Sequence, residues 1–155
     1  MKKLFTLCLI YKNQKILLGV GKRGLNKGKW NGFGGKVEEL ETIEEAAVRE
    51  VREEIGVEVK NLEKIGINNF HLPGAPYVFE VHTFKTDTFI GEPEETDEMS
   101  FPRWFDVSEI PFDKMWPDDK HWFPLFLSCK KFKGDFFFDG LGEVTNYDLK
   151  EVENL

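Results

Sequence analysis

Gly35, five residues, Glu41, seven residues, then Arg49-Glu50-Val51-Arg52-Glu53-Glu54-Ile55-Gly56-Val57: no other stretch of the chain constrains its reading so tightly. Thr42, followed three places later by Glu45, has the form of a capping box, so a helix starts there. Gly56 is placed to end it in a left-handed conformation, giving a helix over Ile43–Ile55. Within it Ala47, Val51 and Ile55 recur every fourth residue as an apolar stripe. Glu50, Glu53 and Glu54 stand at i, i+3 and i+4 and make an adjacent acidic stripe.

An acidic helical stripe is ordinarily a solvated face, because glutamate is a good helix former. Here three like charges one turn apart repel by roughly a few tenths of a kcal/mol per pair. Arg49 and Arg52 lie off that stripe, and helical spacing pairs Arg49 with Glu45 and Glu53. A divalent cation would remove the repulsion. Hard oxygen ligands without Cys or His suit Mg²⁺, with Mn²⁺ as the alternative, and not zinc.

Immediately upstream, Gly24, Gly28, Gly32, Gly34 and Gly35 punctuate a loop that contains Lys29-Trp30-Asn31 and Phe33. Such a backbone can approach a ligand closely and present carbonyls to a metal or amides to phosphate. It is not a Walker A loop, since Gly28-Lys29 is followed by Trp30 rather than Ser or Thr. A plain flexible turn is the simpler interpretation of glycines alone; their position next to the acidic helix makes them a candidate site.

With 155 residues, 41% of them hydrophobic, the chain reads as one domain with a real core, covering residues 1–155. A formal charge of −7 disfavours a nucleic-acid polymer or an anionic membrane as partner, leaving small phosphorylated ligands bridged by metal. Met1-Lys2-Lys3 and the apolar run to Ile10 read as a first strand rather than a signal peptide, because Lys12-Asn13-Gln14-Lys15 follows at once with no small-residue cleavage site. Cys8 and Cys129 lie far apart in apolar stretches and read as buried free thiols in a reducing, cytoplasmic setting. The three histidines show no metal-ligand spacing with them.

β-branched and aromatic runs predict strands near Leu4–Tyr11, Lys15–Val20, Val57–Asn69, Tyr77–Thr86, Arg103–Phe105, Asp135–Phe138 and Val144–Val152. A second helix is expected to begin after Pro117-Asp118-Asp119 and run to about Cys129. This order gives an α+β or mixed-sheet class.

The Gly35–Val57 stretch resembles the Nudix box, meeting it at every fixed position; at average residue frequencies a chance match in a chain this short falls below about one in a million. Trp30 to Val37, Thr96-Asp97-Glu98-Met99, Ile110-Pro111-Phe112, Met115 to Asp119 and Trp122-Phe123-Pro124 resemble the MutT-homologue branch of that family, which acts on oxidised purine nucleotides. The resemblance implies a Nudix fold, an α/β/α sandwich around a mixed β-sheet, and Mg²⁺-dependent hydrolysis of 8-oxo-dGTP and 2-hydroxy-dATP to monophosphate and diphosphate by a monomer. It implies Gly34, through its carbonyl, with Glu50, Glu53, Glu54 and Glu98 as the metal site. Arg49 and the acids Glu53, Glu54 and Glu98 are the implied catalytic residues, any of the three acids being a possible base. Around the purine it places Thr6, Asn31, Phe33, Gly34, Gly35, Lys36, Trp116, Pro117, Asp118 and Asp119.

Without that resemblance Glu98 reads as a charged loop residue, and Asp118-Asp119 reads first as a helix cap. If both aspartates instead face one ligand in a partly dry pocket, repulsion and desolvation would keep one protonated, and a neutral acid can donate where a carboxylate only accepts. The sequence departs from the family at Leu40, usually glycine, at Gly21, where the vertebrate branch has lysine, at Leu25, a pocket phenylalanine there, and across Asn68 to Tyr77. Leu40 bears on the turn before the helix and the others on base preference, so one alternative is a Nudix hydrolase for another modified nucleotide, such as methylated purine triphosphates. A second, from a different class, is an inert nucleotide-binding Nudix module, which a missing Arg or Glu in the box would mark, and none is missing.

Overall fold

The computed structural model describes all residues from Met1 to Leu155. Ten strands and two helices follow one another as β1 (Lys2–Lys12), β2 (Lys15–Val20), β3 (Trp30–Asn31), α1 (Ile43–Ile55), β4 (Glu58–Lys60), β5 (Glu63–His71), β6 (Val78–Thr86), β7 (Thr88–Ile90), β8 (Arg103–Asp106), α2 (Asp119–Leu127), β9 (Lys131–Phe138) and β10 (Val144–Val152). The main sheet runs β10-β9-β5-β6-β1-β2-β3, with β8 also on β2. It is mixed, as expected: β1 with β6 and β5 with β9 are parallel, and the remaining pairs in it are antiparallel.

Strand alternation sorts the core into two layers. Cys8, Ile10 and Leu17 face one side and pack under α1 against Ala47, Val51 and Ile55. Leu9, Ile16 and Leu18 face the other side and meet Trp122, Phe123 and Phe126 of α2. The two helices therefore cover opposite faces of the sheet, and the result is the α/β/α sandwich. A strand with a helix on each side loses its polar face, which is why β1 and β2 read as continuous apolar runs.

Several boundaries differ from expectation. The single strand expected over Val57–Asn69 is two, β4 and β5, because Asn61 turns the chain with a φ of 53° and β4 leaves the main sheet to pair with β7. β9 begins at Lys131, not Asp135; its first residues were obscured by Lys131, Lys133 and Gly134, yet Phe132 and Phe136 are fully buried. Neither β3 nor β7 was expected, both being too short to show a period.

The helix α2 ends in a Schellman motif: the Lys130 N–H donates to Leu125 O at 2.9 Å and the Cys129 N–H to Phe126 O at 3.1 Å. Cys129 occupies the left-handed position with a φ of 57°, a place usually taken by glycine. This geometry turns its thiol outward, so of the two cysteines expected to be buried only Cys8 is. No helix is long and apolar enough to cross a membrane.

Candidate active site

The capping box forms as the sequence requires, with the Glu45 N–H donating to Thr42 Oγ1 at 3.1 Å and the Thr42 N–H to Glu45 Oε1 at 2.8 Å. Gly56 closes the helix at a φ of 76°. Because Glu45 is committed to the cap, it does not pair with Arg49 as spacing suggested. Arg49 instead reaches back to the loop before the helix. Its Nε and Nη2 donate to the two carboxylate oxygens of Glu41 at 3.0 and 2.7 Å, and Nη2 also donates to Lys36 O at 3.1 Å. Nη1 donates to Glu50 at 2.9 Å and to Glu53 at 3.3 Å. The Arg49 hydrogen bond holds the Glu41 carboxyl down at about 2.

Glu50, Glu53 and Glu98 converge: one carboxylate oxygen from each lies within 4.8 Å of the others. Glu98 gets there because the Thr96 hydroxyl donates to Glu54 O at 2.8 Å and accepts the Glu98 N–H at 3.2 Å, pinning the loop to the end of α1. Arg23 adds an ion pair to Glu98 at 2.7 Å. Three carboxylates with no Cys or His among them make a donor set that suits a hard divalent cation. Glu54 stands apart from the trio and accepts the Gly34 N–H at 2.7 Å. Burial, reinforced by Glu50, Glu98 and Glu53, pushes its carboxyl up to about 8 against that hydrogen bond. Burial also raises Glu50, against the pull of Arg49.

The glycine turn joins this acidic cluster to a cavity. A Cβ on Gly34 would sit 1.9 Å from Thr6 O, leaving no room for a side chain, and one on Gly35 would sit 2.6 Å from the Glu50 carboxylate and push it aside. The Thr6 N–H donates to Gly35 O at 2.8 Å and fixes the turn on β1. On the other face of the sheet, under α2, lies a cavity of about 220 Å³. Its walls are aromatic and aliphatic, Phe70, Phe79, Val81, Trp116, Trp122 and Phe138 among them. Apolar walls with a few placed polar groups are the usual make-up of a small-ligand site.

Asp118 and Asp119 line that cavity and are only 2% and 4% exposed. They do not cap α2: Asp118 is helical in backbone and makes no capping bond, and its Oδ2 instead accepts the Trp122 indole N–H at 2.8 Å. Desolvation raises both carboxyls, and Asp119 further, because the neighbouring Asp118 charge and the hydrogen bond between the two favour its protonated form. Burial and mutual repulsion thus favour a proton on the pair, with Asp119 pushed more strongly than Asp118 toward its protonated form.

Of the residues expected around the purine, the structure brings Thr6, Asn31, Gly34, Gly35, Trp116, Asp118 and Asp119 to the cavity. Phe33 is not in the lining. Its side chain is fully buried under α1, while its backbone pairs with Cys8. Lys36 and Pro117 are also outside the lining. Leu25 lines the cavity mouth, whereas Gly21 does not; a Cβ there would lie 2.5 Å from Asn26 O.

Sequence reading missed Asn26, whose Oδ1 accepts from Trp116 Nε1 at 2.7 Å and from Asn31 Nδ2 at 3.4 Å and so orients both. It gave no individual role to Asn68 on β5, which opens the divergent stretch Asn68 to Tyr77, and it missed Thr83 on β6. The only signal for Thr83 was strand alternation with Val81.

This chain belongs to the Nudix family: the model of the NUDIX domain matches residues 1–126. It is 47% identical over 152 residues to the oxidized purine nucleoside triphosphate hydrolase of Mus musculus, covering 98% of this chain and 97% of the relative. It is 50% identical over 153 residues to the Danio rerio protein of the same description, covering 99% and 97%. Among solved structures it resembles a MutT protein from Bacillus halodurans, with a TM-score of 0.83 and 28% identity over 96% of this chain and 97% of that one.

Proposed function

We propose that this chain hydrolyses oxidised purine nucleoside triphosphates, 8-oxo-dGTP and 2-hydroxy-dATP, to monophosphate and diphosphate, and so keeps damaged precursors from DNA synthesis. The observation that carries this reading is the continuity of two sites through one glycine turn. The buried Asp118–Asp119 pair sits in an aromatic cavity on one side of Gly34-Gly35, and the glutamate cluster lies on the other. The activity for which the mouse and zebrafish relatives are named supports it.

In this reading Trp116 stacks on the base, Asn31 and the aspartate pair meet its edges, and Thr6 with the Gly34–Gly35 backbone steers the phosphates toward α1. Glu50, Glu53 and Glu98, with Glu54 and the Gly34 carbonyl, would hold Mg²⁺, or Mn²⁺ in its place, which when bound offsets phosphate charge and makes water a better nucleophile. Arg49 aligns Glu50 and Glu53 and ties the preceding loop to the helix. Among the acids that can take the proton from attacking water, Glu54 is distinguished by its buried carboxyl, whose ionised form a cation at the neighbouring cluster would favour. Glu53 and Glu98 are the other candidates. The enzyme in this reading is one domain over residues 1–155, monomeric and cytoplasmic.

The test is a Mg²⁺-dependent screen of normal, oxidised and methylated nucleoside triphosphates, with diphosphate and phosphate release measured separately. Preferred cleavage of the oxidised purines with diphosphate release is the expected result. Equal or better turnover of every unmodified triphosphate would overturn the assignment.

A further inference from the structure

Three residues that line the cavity each carry a buried side-chain atom with no hydrogen-bond partner within the protein: Asp119 Oδ2, Asn68 Oδ1 and Thr83 Oγ1. Their residues are 4%, 1% and 0% exposed. A buried polar atom left unpaired costs about 1–3 kcal/mol, so three around one small cavity are not accounted for by packing. Asp119 belongs to the base site already described. Asn68 and Thr83 come from the opposite wall, the sheet itself, and neither has been given a role.

The strands fix where these two groups stand. Asn68 pairs with Val81 of β6 on one side and with Gly134 of β9 on the other, while Thr83 pairs with Gly66. On the pleated surface they are therefore diagonal neighbours facing the same cavity. Gly134 leaves the space that the Asn68 amide uses, since a Cβ there would lie 2.7 Å from Asn68 Oδ1. Aliphatic residues would fill these two sheet positions at no polar cost.

We infer that Asn68 and Thr83 form a second polar wall that selects the base, accepting from and donating to an exocyclic oxygen or amino group on an edge other than the one held by the aspartate pair. This deepens the proposed function and rests on it. The ligand class is a purine carrying hydrogen-bonding substituents on two edges. A purine that lacks the extra substituent leaves one of these buried atoms unpaired, and sites built that way reject the poorer partner strongly.

Two nearly isosteric variants, Asn68→Leu and Thr83→Val, test the inference by calorimetric binding of nucleoside monophosphates in EDTA, which needs no catalysis. The panel is 8-oxo-dGMP against dGMP and 2-hydroxy-dAMP against dAMP. The expected result is a loss of about tenfold in affinity for at least one oxidised base, with the unmodified parent changed by less than about twofold and the melting temperature of the free protein unchanged or higher. Equal affinities of both variants and wild type across the panel would overturn the second wall. So would a uniform loss on all four ligands with a lower melting temperature, which marks a structural role. The wild-type hydrolysis screen reports on the proposed activity separately: a wild type that binds the oxidised monophosphates through Asn68 or Thr83 yet cleaves none of the triphosphates retains this wall and loses the reaction.

Discussion

At the scale of single residues, the glutamates of α1 divide by environment. Glu53 is the half-exposed member of the convergent trio, with 48% of its side chain accessible, so replacing it disturbs little packing. Glu53→Gln keeps the shape but removes a charge the cation needs, and turnover is expected to fall by about a hundredfold or more with the fold intact by circular dichroism. Activity within about threefold of wild type at saturating Mg²⁺ would remove Glu53 from the metal site. Asp119→Asn separates base reading from metal binding, since an amide cannot donate and accept by switching protonation. Its effect on stability has a definite sign. The folded-state carboxyl is raised above the ordinary value of 3.8, so the folded protein binds more protons than the unfolded chain in the range above 3.8. That contribution is fully present at lower pH and is lost as pH rises through the raised value of the pair. The melting temperature of wild type relative to Asp119→Asn should therefore decline from pH 4 toward pH 8; a constant difference would show that the aspartate ionises as it does in water.

Two element boundaries carry residues that glycine would fit better. Leu40, in the turn before α1, has a φ of 67° and is fully exposed, so its side chain contributes no burial while its backbone sits in the left-handed region. Cys129 is held in the same region by the Schellman motif of α2. Left-handed non-glycine residues cost about 1–2 kcal/mol, partly offset by the larger unfolded-state entropy of glycine. Leu40→Gly and Cys129→Gly are each expected to stabilise by up to about 1 kcal/mol, seen as a rise of a few degrees in melting temperature. A fall of that size in either variant would show that the side chain does more than its exposure indicates. The α1 helix itself was legible to the residue, because the cap, the apolar stripe and the terminal glycine are all local signals. Capping by Asp118-Asp119 was the wrong local inference. Asp118 is itself helical in backbone and its Oδ2 accepts from the indole of Trp122, and no side-chain cap forms.

Over the whole molecule, the sheet makes one cavity from both ends of the chain. β9 lies between β5 and β10 and contributes Phe132 and Phe136 to the α2-side core, while Phe138 walls the cavity. The Phe132 ring covers Gly66, where a Cβ would lie 2.2 Å from the ring. Phe132→Ala would open a cavity over that glycine and is expected to destabilise the protein by about 3–5 kcal/mol in urea unfolding, with substrate affinity lowered as β5 loosens. A loss below about 1 kcal/mol would mean that the sheet closes over the gap.

The sequence alone determined the acidic helix, its caps, the glycine turn beside it and the family to which these belong, because each depends on residues near one another in the chain. It also carried the residues of the aspartate pair, though not their state. Whether two adjacent aspartates stay ionised or are pushed toward their protonated forms depends on how dry their surroundings are, and that dryness comes from β5, β6, β9 and Trp116 folding around them. Glu98 reached Glu50 and Glu53 through tertiary contacts, the Thr96 hydrogen bonds and the Arg23 ion pair among them, across a sequence separation that no local period spans. Asn68 and Thr83 became a candidate wall for the same reason: burial without a partner is a property of the packed sheet, and no spacing of residues in one chain can state it.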